Sequence, residues 1–323
     1  MKGNYEKQHR LALHNPYGSV VKVLDAKEDD LLVGIKNVAS IPNTLMHNKL
    51  EPHGFSLHTI DKKSQLAGRA VDTELINPIT GHYMSGSSSG TALNVFAGIN
   101  DLGIGNDGGG SVLAPAMCVN IYGFISRLIE KDRQQNAKAN TDGIVAGNSL
   151  GFLARDREIL FKAIEVATGV VKAEDAGVVW TDKQYPGIDS EVIDVMDANE
   201  PRGPLTEYLK ETLKKCDVLV VTEGPVDLHG FGDSLFGHFD ERTKAIQMEA
   251  NKGYVRVCNI ANATALAIPQ TGLGMATLLM CESTEEKVAK LLKLSEKIEH
   301  VHDELIERYF LDLDNYFNEG YQI

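Results

Sequence analysis

The 323-residue chain is poor in cysteine, with four, and in basic charge, and it contains no apolar run approaching the roughly 18 residues that cross a bilayer. Cys118, Cys216, Cys258 and Cys281 are scattered, with no C-x-x-C pair and no histidine at zinc-site spacing, so they read as buried free thiols. His300 and His302 read as an exposed pair near a helix end, and neither a metal site nor a cofactor is expected. Lys and Arg number 32 against 45 Asp and Glu, a net charge of −13. That balance repels a phosphate backbone, and no basic stripe offsets it, which excludes nucleic acid and anionic membranes as primary partners. The first ten residues lack the apolar stretch of a secretory signal, so a cytoplasmic protein is expected.

Glycine, by contrast, is abundant and clustered. Gly103, Gly105, Gly108, Gly109 and Gly110 fall within eight positions, a little after the serine-rich turn Ser85-Gly86-Ser87-Ser88-Ser89-Gly90. The turn precedes Ala92, Val95, Phe96 and Ile99, which have helical spacing, so it sits where backbone N–H groups lack partners. Upstream, Leu31-Leu32-Val33-Gly34-Ile35 reads as a buried strand delivering Lys36 at its end. Residues 37 to 76, broken by Pro42, Pro52 and Gly54, read as loops around a short helix.

The later half alternates helix and strand. Asp156 is the expected N-cap of a helix over 157–168 that Gly169 stops, and Leu205, Leu209 and Leu213 mark another helix before a strand at 217–222. Residues 266–269 and 275–280 read as two strands joined by a turn at Thr271-Gly272. A long helix over about 284–309 is expected from a capping box at Ser283 and Glu286 and a stripe that includes Val301 and Leu305. Alternation without a linker predicts one α/β domain.

Three segments together resemble the amidase signature family. Ser85 to Ala92 is similar to its G-G-S-S-G-G-S-A motif, and Gly105 to Ala116 to G-T-D-T-G-G-S-I-R-x-P-A, with Ser111 following Ser87 at the family's interval of 24 positions. Val33 to Val38 resembles the family's lysine-bearing strand, and Asn77-Pro78 its N-P dipeptide. Weaker likenesses continue through Tyr122-Gly123-Phe124, Leu150 to Arg155 and Asn259 to Pro269, so the resemblance covers about residues 31–280. It implies a mixed central β-sheet flanked by helices on both faces, in a single domain over residues 1–323. It also implies a hydrolase of linear amide C–N bonds in small molecules, with homodimer formation left open.

The chemistry has its own requirements. A serine attacks an amide only when a base takes its proton and donors hold the oxyanion. A buried lysine can serve, because desolvation pulls its pKa toward neutrality. The resemblance implies Ser111 as nucleophile, Lys36 as base and acid, and Ser87, after a cis peptide bond, as the relay. Gly108, Gly109 and Gly110 lack Cβ atoms and are expected to turn N–H groups inward as an oxyanion hole with Ser111 N–H. Asp107 is expected to orient that loop by accepting backbone hydrogen bonds, and Ser88 to support Ser87. Ser89 is expected to cap the helix that follows it.

Other readings compete. Gly86 to Gly90 satisfies G-x-S-x-G, a nucleophile elbow centred on Ser88, and Gly103-x-Gly105-x-x-Gly108 could be a phosphate loop. Several positions depart from the family pattern: Leu113 stands for its usual Arg, Ser85 and Ser89 for glycines, Ile125-Ser126 for Lys-Pro, and Phe152 for Pro. A non-catalytic scaffold and an ammonia-releasing amidotransferase component are therefore the alternatives to a stand-alone amidase.

Overall fold

The computed structural model describes residues 3–65, 71–131, 137–139, 142–232, 234–300 and 303–317. Its strands are β1 (Val20–Val23), β2 (Leu31–Lys36), β3 (Phe55–Asp61), β4 (Val71–Ile76), β5 (Tyr83–Ser85), β6 (Leu102–Asp107) and β7 (Tyr122–Ser126). There follow β8 (Lys138–Ala139), β9 (Val145–Ala146), β10 (Ser149–Ala154), β11 (Val179–Thr181), β12 (Glu191–Val192), β13 (Val218–Glu223), β14 (Ala263–Pro269) and β15 (Ala276–Glu282). The principal helices are α1 (Tyr5–His14), α2 (Ser89–Phe96), α3 (Leu113–Cys118), α4 (Arg157–Thr168), α5 (Arg202–Leu213), α6 (Glu241–Met248) and α7 (Glu285–Ser295).

Eleven strands form one mixed sheet in the order β1-β3-β2-β6-β10-β7-β14-β15-β13-β11-β12. Phe124 and Phe152 face one core with Leu160 and Ile164 of α4 and Leu291 of α7. Their neighbours Ile125 and Leu153 face the other, with Leu93 of α2, Leu113 of α3 and Leu209 of α5. Successive side chains of a strand point to opposite faces, so a sheet covered on both sides is written as continuous apolar runs. This is the expected three-layer α/β fold.

Local signals fix several boundaries as read. The Asp156 carboxylate accepts from the N–H groups of Glu158 and Ile159, and Gly169 closes α4 at φ +75°. The two strands near the C-terminus pair as the hairpin β14–β15. Other boundaries differ. Residues 37–76, expected to be loops around a short helix, hold a short helical segment at Leu45–Leu50 but also β3 and β4, and β3 pairs parallel to β2. The alternation of Phe55-Ser56-Leu57-His58 runs for only four residues before Thr59 breaks it, and β3 buries its polar Ser56, His58, Thr59 and Asp61, so its sequence reads as a loop. The long C-terminal helix is shorter: α7 starts after Thr284, whose hydroxyl accepts from Lys287 N–H, and ends at Ser295. Val301 lies outside the described residues.

Among the described residues no helix is long and apolar enough to cross a membrane. All four cysteines are buried free thiols.

Candidate active site

β2 and β6 run parallel side by side, with Ile35 opposite Ile104; β2 ends at Lys36, and β6 continues two residues further to Asp107. Lys36 is only 3% exposed. Its ammonium donates to Ser87 Oγ at 2.7 Å and reaches the Asn106 carbonyl at 3.5 Å. Burial brings its pKa down from 10.5 to about 7, with the Asp107 charge opposing that fall and Lys63 adding to it. A lysine in this state is neutral often enough near pH 7 to take up a proton.

Asp107 is fully buried beneath the glycine loop. Its Oδ1 accepts from Gly109 N–H at 2.9 Å and Gly110 N–H at 2.7 Å, and its Oδ2 from Val112 N–H at 2.6 Å. Burial raises its pKa, and backbone donors of residues 112, 110, 113 and 109 counter that rise. These bonds correct part of the expected oxyanion hole. Gly109 and Gly110 turn their N–H groups onto Asp107, because a carboxylate cut off from water takes the nearest donors. The N–H groups of Gly108 and Ser111 have no hydrogen-bond partner among the described residues. Gly110 holds φ +99°, and a Cβ there would lie 3.2 Å from the Val255 carbonyl, so only glycine fits the loop comfortably.

The serine turn packs against this loop. Ser88 N–H donates to the Ser111 carbonyl at 3.2 Å, joining the two motifs through their backbones. Gly86, at φ +80°, sets its Cα against Pro115 and Ser111. The described cis peptide bond is Gly224–Pro225, and the Gly86–Ser87 bond is trans, contrary to expectation. The trans form is the one a non-proline peptide takes by about 2.5–4 kcal/mol. Ser88 Oγ is buried without a hydrogen-bond partner and does not support Ser87 through its hydroxyl. Ser89 Oγ donates to the Gly86 carbonyl, which closes the turn rather than capping α2. Lys36 and Ser87 are thus hydrogen-bonded, whereas Ser87 and Ser111 share no hydrogen bond in this structure.

Both competing motifs lose their context. Gly103 and Gly105 lie inside β6, not in a loop. A Cβ on Gly105 would meet Ser88 Oγ at 2.8 Å, so this glycine allows α2 to approach the sheet. The strand before the serine turn, β5, belongs to a separate two-stranded ribbon with β4 rather than to the central sheet that an elbow requires.

Ser111 opens onto a cleft that also exposes Gly109 and Gly110 and is walled by Arg202, Lys252 and Arg256. None of the three cations stood out in the sequence, because they come from α5 and the segment before β14 and share no spacing. Glu223 was also missed. Its buried carboxylate accepts from Gly253 N–H at 2.7 Å and from Val255 N–H, holding the turn against which Gly109 and Gly110 pack. Burial raises its pKa to about 7. Asn259 accepts from Ser149 and donates to the Gly147 carbonyl, tying β10 to the segment before β14.

Fold and site together define a class of protein. The Amidase family model matches residues 73–128, which hold both serine motifs. The A-subunit of the glutamyl-tRNA(Gln) amidotransferase of Methanothermobacter thermautotrophicus is 28% identical over 136 residues, 41% of this chain and 29% of the relative. The aligned stretch thus spans less than a third of the curated relative it matches. A crystal structure of an amidase superposes with TM-score 0.63 at 14% identity, covering 91% of this chain and 94% of the other. A variant of the allophanate hydrolase of Kluyveromyces lactis gives TM-score 0.62 at 13% identity, covering 91% and 69%. The A-subunit of the Thermotoga maritima glutamyl-tRNA(Gln) amidotransferase gives 0.59 at 14%, covering 91% and 91%. Residues 73–128 are thus similar to amidases, and the chain shares the fold of amidase signature enzymes.

Proposed function

We propose that this protein is a single-domain amidohydrolase that cleaves a small-molecule C–N amide bond through an acyl-enzyme on Ser111. The observation that carries the reading is the buried Lys36 ammonium on Ser87 Oγ, with its pKa brought to about 7. Ser111 Oγ attacks the amide carbon as its proton passes through Ser87 to Lys36. The N–H groups of Ser111 and Gly108 receive the oxyanion. Collapse of the tetrahedral adduct breaks the C–N bond, and the proton held by Lys36 goes to the departing amine. Water then adds to the acyl-enzyme, releasing the carboxylic acid and restoring Ser111. The reading uses no metal or cofactor.

A fluorophosphonate probe tests this reading. The expected result is one phosphonyl adduct on Ser111, lost in Ser111→Ala and strongly slowed in Lys36→Ala. A folded wild-type chain that takes no label would favour a non-catalytic scaffold. A second reading, ammonia release for a partner protein, draws on the match to the amidotransferase of Methanothermobacter thermautotrophicus. Copurification with partner proteins separates it from stand-alone hydrolysis.

A further inference from the structure

The cleft beside Ser111 contradicts the charge of the chain that builds it. Overall the protein carries 45 acidic side chains against 32 basic ones, yet among the described residues the walls of this cleft hold Arg202, Lys252 and Arg256 and no Asp or Glu. The three cations arrive from separate elements. Arg202 is the first residue of α5, and Lys252 and Arg256 flank the turn held by Glu223.

The cations are oriented by their neighbours. Arg202 pairs with Asp142, itself 48% exposed and so screened by water. Lys252 pairs with the buried Asp227 and donates to the Gly232 carbonyl. Arg256 donates to the carbonyls of Gly253, Ala198 and Glu200 and has no ion-pair partner among the described residues. Carbonyl acceptors fix a guanidinium in place without cancelling its charge. Burial and the nearby Arg202 lower the Arg256 pKa, while the charges of Glu223, Asp142 and Asp197 oppose that fall. A backbone feature adds to them. α5 begins at the cleft after Pro201, with no side-chain cap and no acidic residue in its first turn, so its positive end faces the same space. The arginine that the family usually carries two positions after the nucleophile is here Leu113, fully buried in the core. Anion recognition in this cleft therefore falls to Arg202, Lys252 and Arg256.

Resting on the amidohydrolase reading, we infer that the substrate is an amide carrying a carboxylate on its acyl side. The anionic group docks among Arg202, Lys252 and Arg256 while the amide carbonyl lies at Ser111. A guanidinium presents paired N–H donors that match a carboxylate. The positive wall would reject an acyl group bearing an ammonium, since like charges brought together in a partly desolvated cleft repel. Hydrolysis of such a monoamide consumes water and yields a dicarboxylate and ammonia, so both acid groups of the product are seated before release.

Three amides of nearly equal size test the inference: succinamate, butyramide and 3-aminopropanamide. The expected order of kcat/KM is succinamate first, by about tenfold or more over butyramide, with 3-aminopropanamide slowest. In Arg202→Gln the succinamate-to-butyramide ratio falls about tenfold, and Arg202→Lys restores part of it. Succinate should also bind the Ser111→Ala protein by calorimetry, more weakly as salt rises and more weakly still after Arg202→Gln. A wild-type preference for butyramide or 3-aminopropanamide, with Ser111 labelled by the fluorophosphonate, overturns the carboxylate inference and leaves the amidohydrolase standing. Absence of labelling in folded protein overturns both.

Discussion

Lys36 Nζ lies 2.7 Å from Ser87 Oγ at the buried end of β2, and the same burial that isolates this pair brings the lysine to about pKa 7. A group with that pKa changes charge in the range where most hydrolases work, and only its neutral form accepts the proton of Ser111 by way of Ser87. The kcat/KM of a neutral amide should therefore rise with pH and level off above an apparent pKa near 7. A pH-rate profile measured from 5 to 9 checks this. A flat profile over that range would separate catalysis from Lys36.

The same lysine burdens the fold. Its pKa is about 7 folded against 10.5 in an unperturbed chain, so between those values the unfolded state binds the extra proton. Stability gained from this group thus rises with pH from about 7 to 10.5, and the full penalty applies below about 7. Lys36→Met removes the penalty while filling similar volume. The variant should be inactive yet more stable near neutrality, by on the order of 2 kcal/mol, with a flatter dependence of stability on pH. Urea unfolding of both proteins at pH 6, 8 and 9.5 gives the comparison. A variant less stable than wild type at pH 6 would mean that the bond to Ser87 outweighs the desolvation of the charge.

Asp107 shapes the nucleophile loop by drawing Gly109, Gly110 and Val112 N–H groups onto one carboxylate. Asp107→Asn keeps the size but replaces one acceptor oxygen with a donor, which then faces N–H groups that are themselves donors. The expected result is a loss of about 100-fold in kcat/KM, together with on the order of 2–4 kcal/mol of stability. Kinetics and thermal unfolding read the two effects separately. Retention of activity within a few-fold would show that the loop holds its shape without the carboxylate.

The parts legible in the sequence were those written locally. Lys36 ends an apolar run, and the serine and glycine motifs carry their chemistry within a few residues each, so both the strand β2 and the two turns could be placed. The cap at Asp156 and the β14–β15 hairpin likewise rest on neighbours in sequence. What escaped depends on distant partners. β3 buries polar residues whose partners are distant in sequence, and Thr284 rather than Ser283 caps α7 because the chain direction at the β15 exit decides which hydroxyl reaches Lys287 N–H. The roles of Gly109 and Gly110 hinge on which way two N–H groups turn, a matter of backbone torsion that residue type leaves open. The cationic wall was least legible, since Arg202 and Arg256 meet only after α5 and the segment preceding β14 have packed against the same cleft.

The clustered glycines divide into two kinds, and mutation should tell them apart from helix glycines that serve neither purpose. Gly105 lies within β6, where an added methyl would press on Ser88 Oγ at 2.8 Å and Val112 Cγ2 at 3.0 Å. Both residues are buried and belong to the two motifs joined by the Ser88 N–H to Ser111 carbonyl bond. Gly105→Ala should therefore cost about 1–3 kcal/mol by overpacking and lower kcat along with stability, because the displaced residues carry the nucleophile loop. Gly203, in the first turn of α5, has nothing within 4 Å of the position its Cβ would take. Gly203→Ala should instead change stability by less than about 0.5 kcal/mol, because the lower entropy of the unfolded chain is offset by the clash of a Cβ with the ring of Pro204 in helical backbone. Chemical denaturation of the two variants beside wild type measures both effects. Equal and small effects would mean that the α2 to β6 spacing relaxes freely, and the close approach assigned to Gly105 would lose its structural meaning.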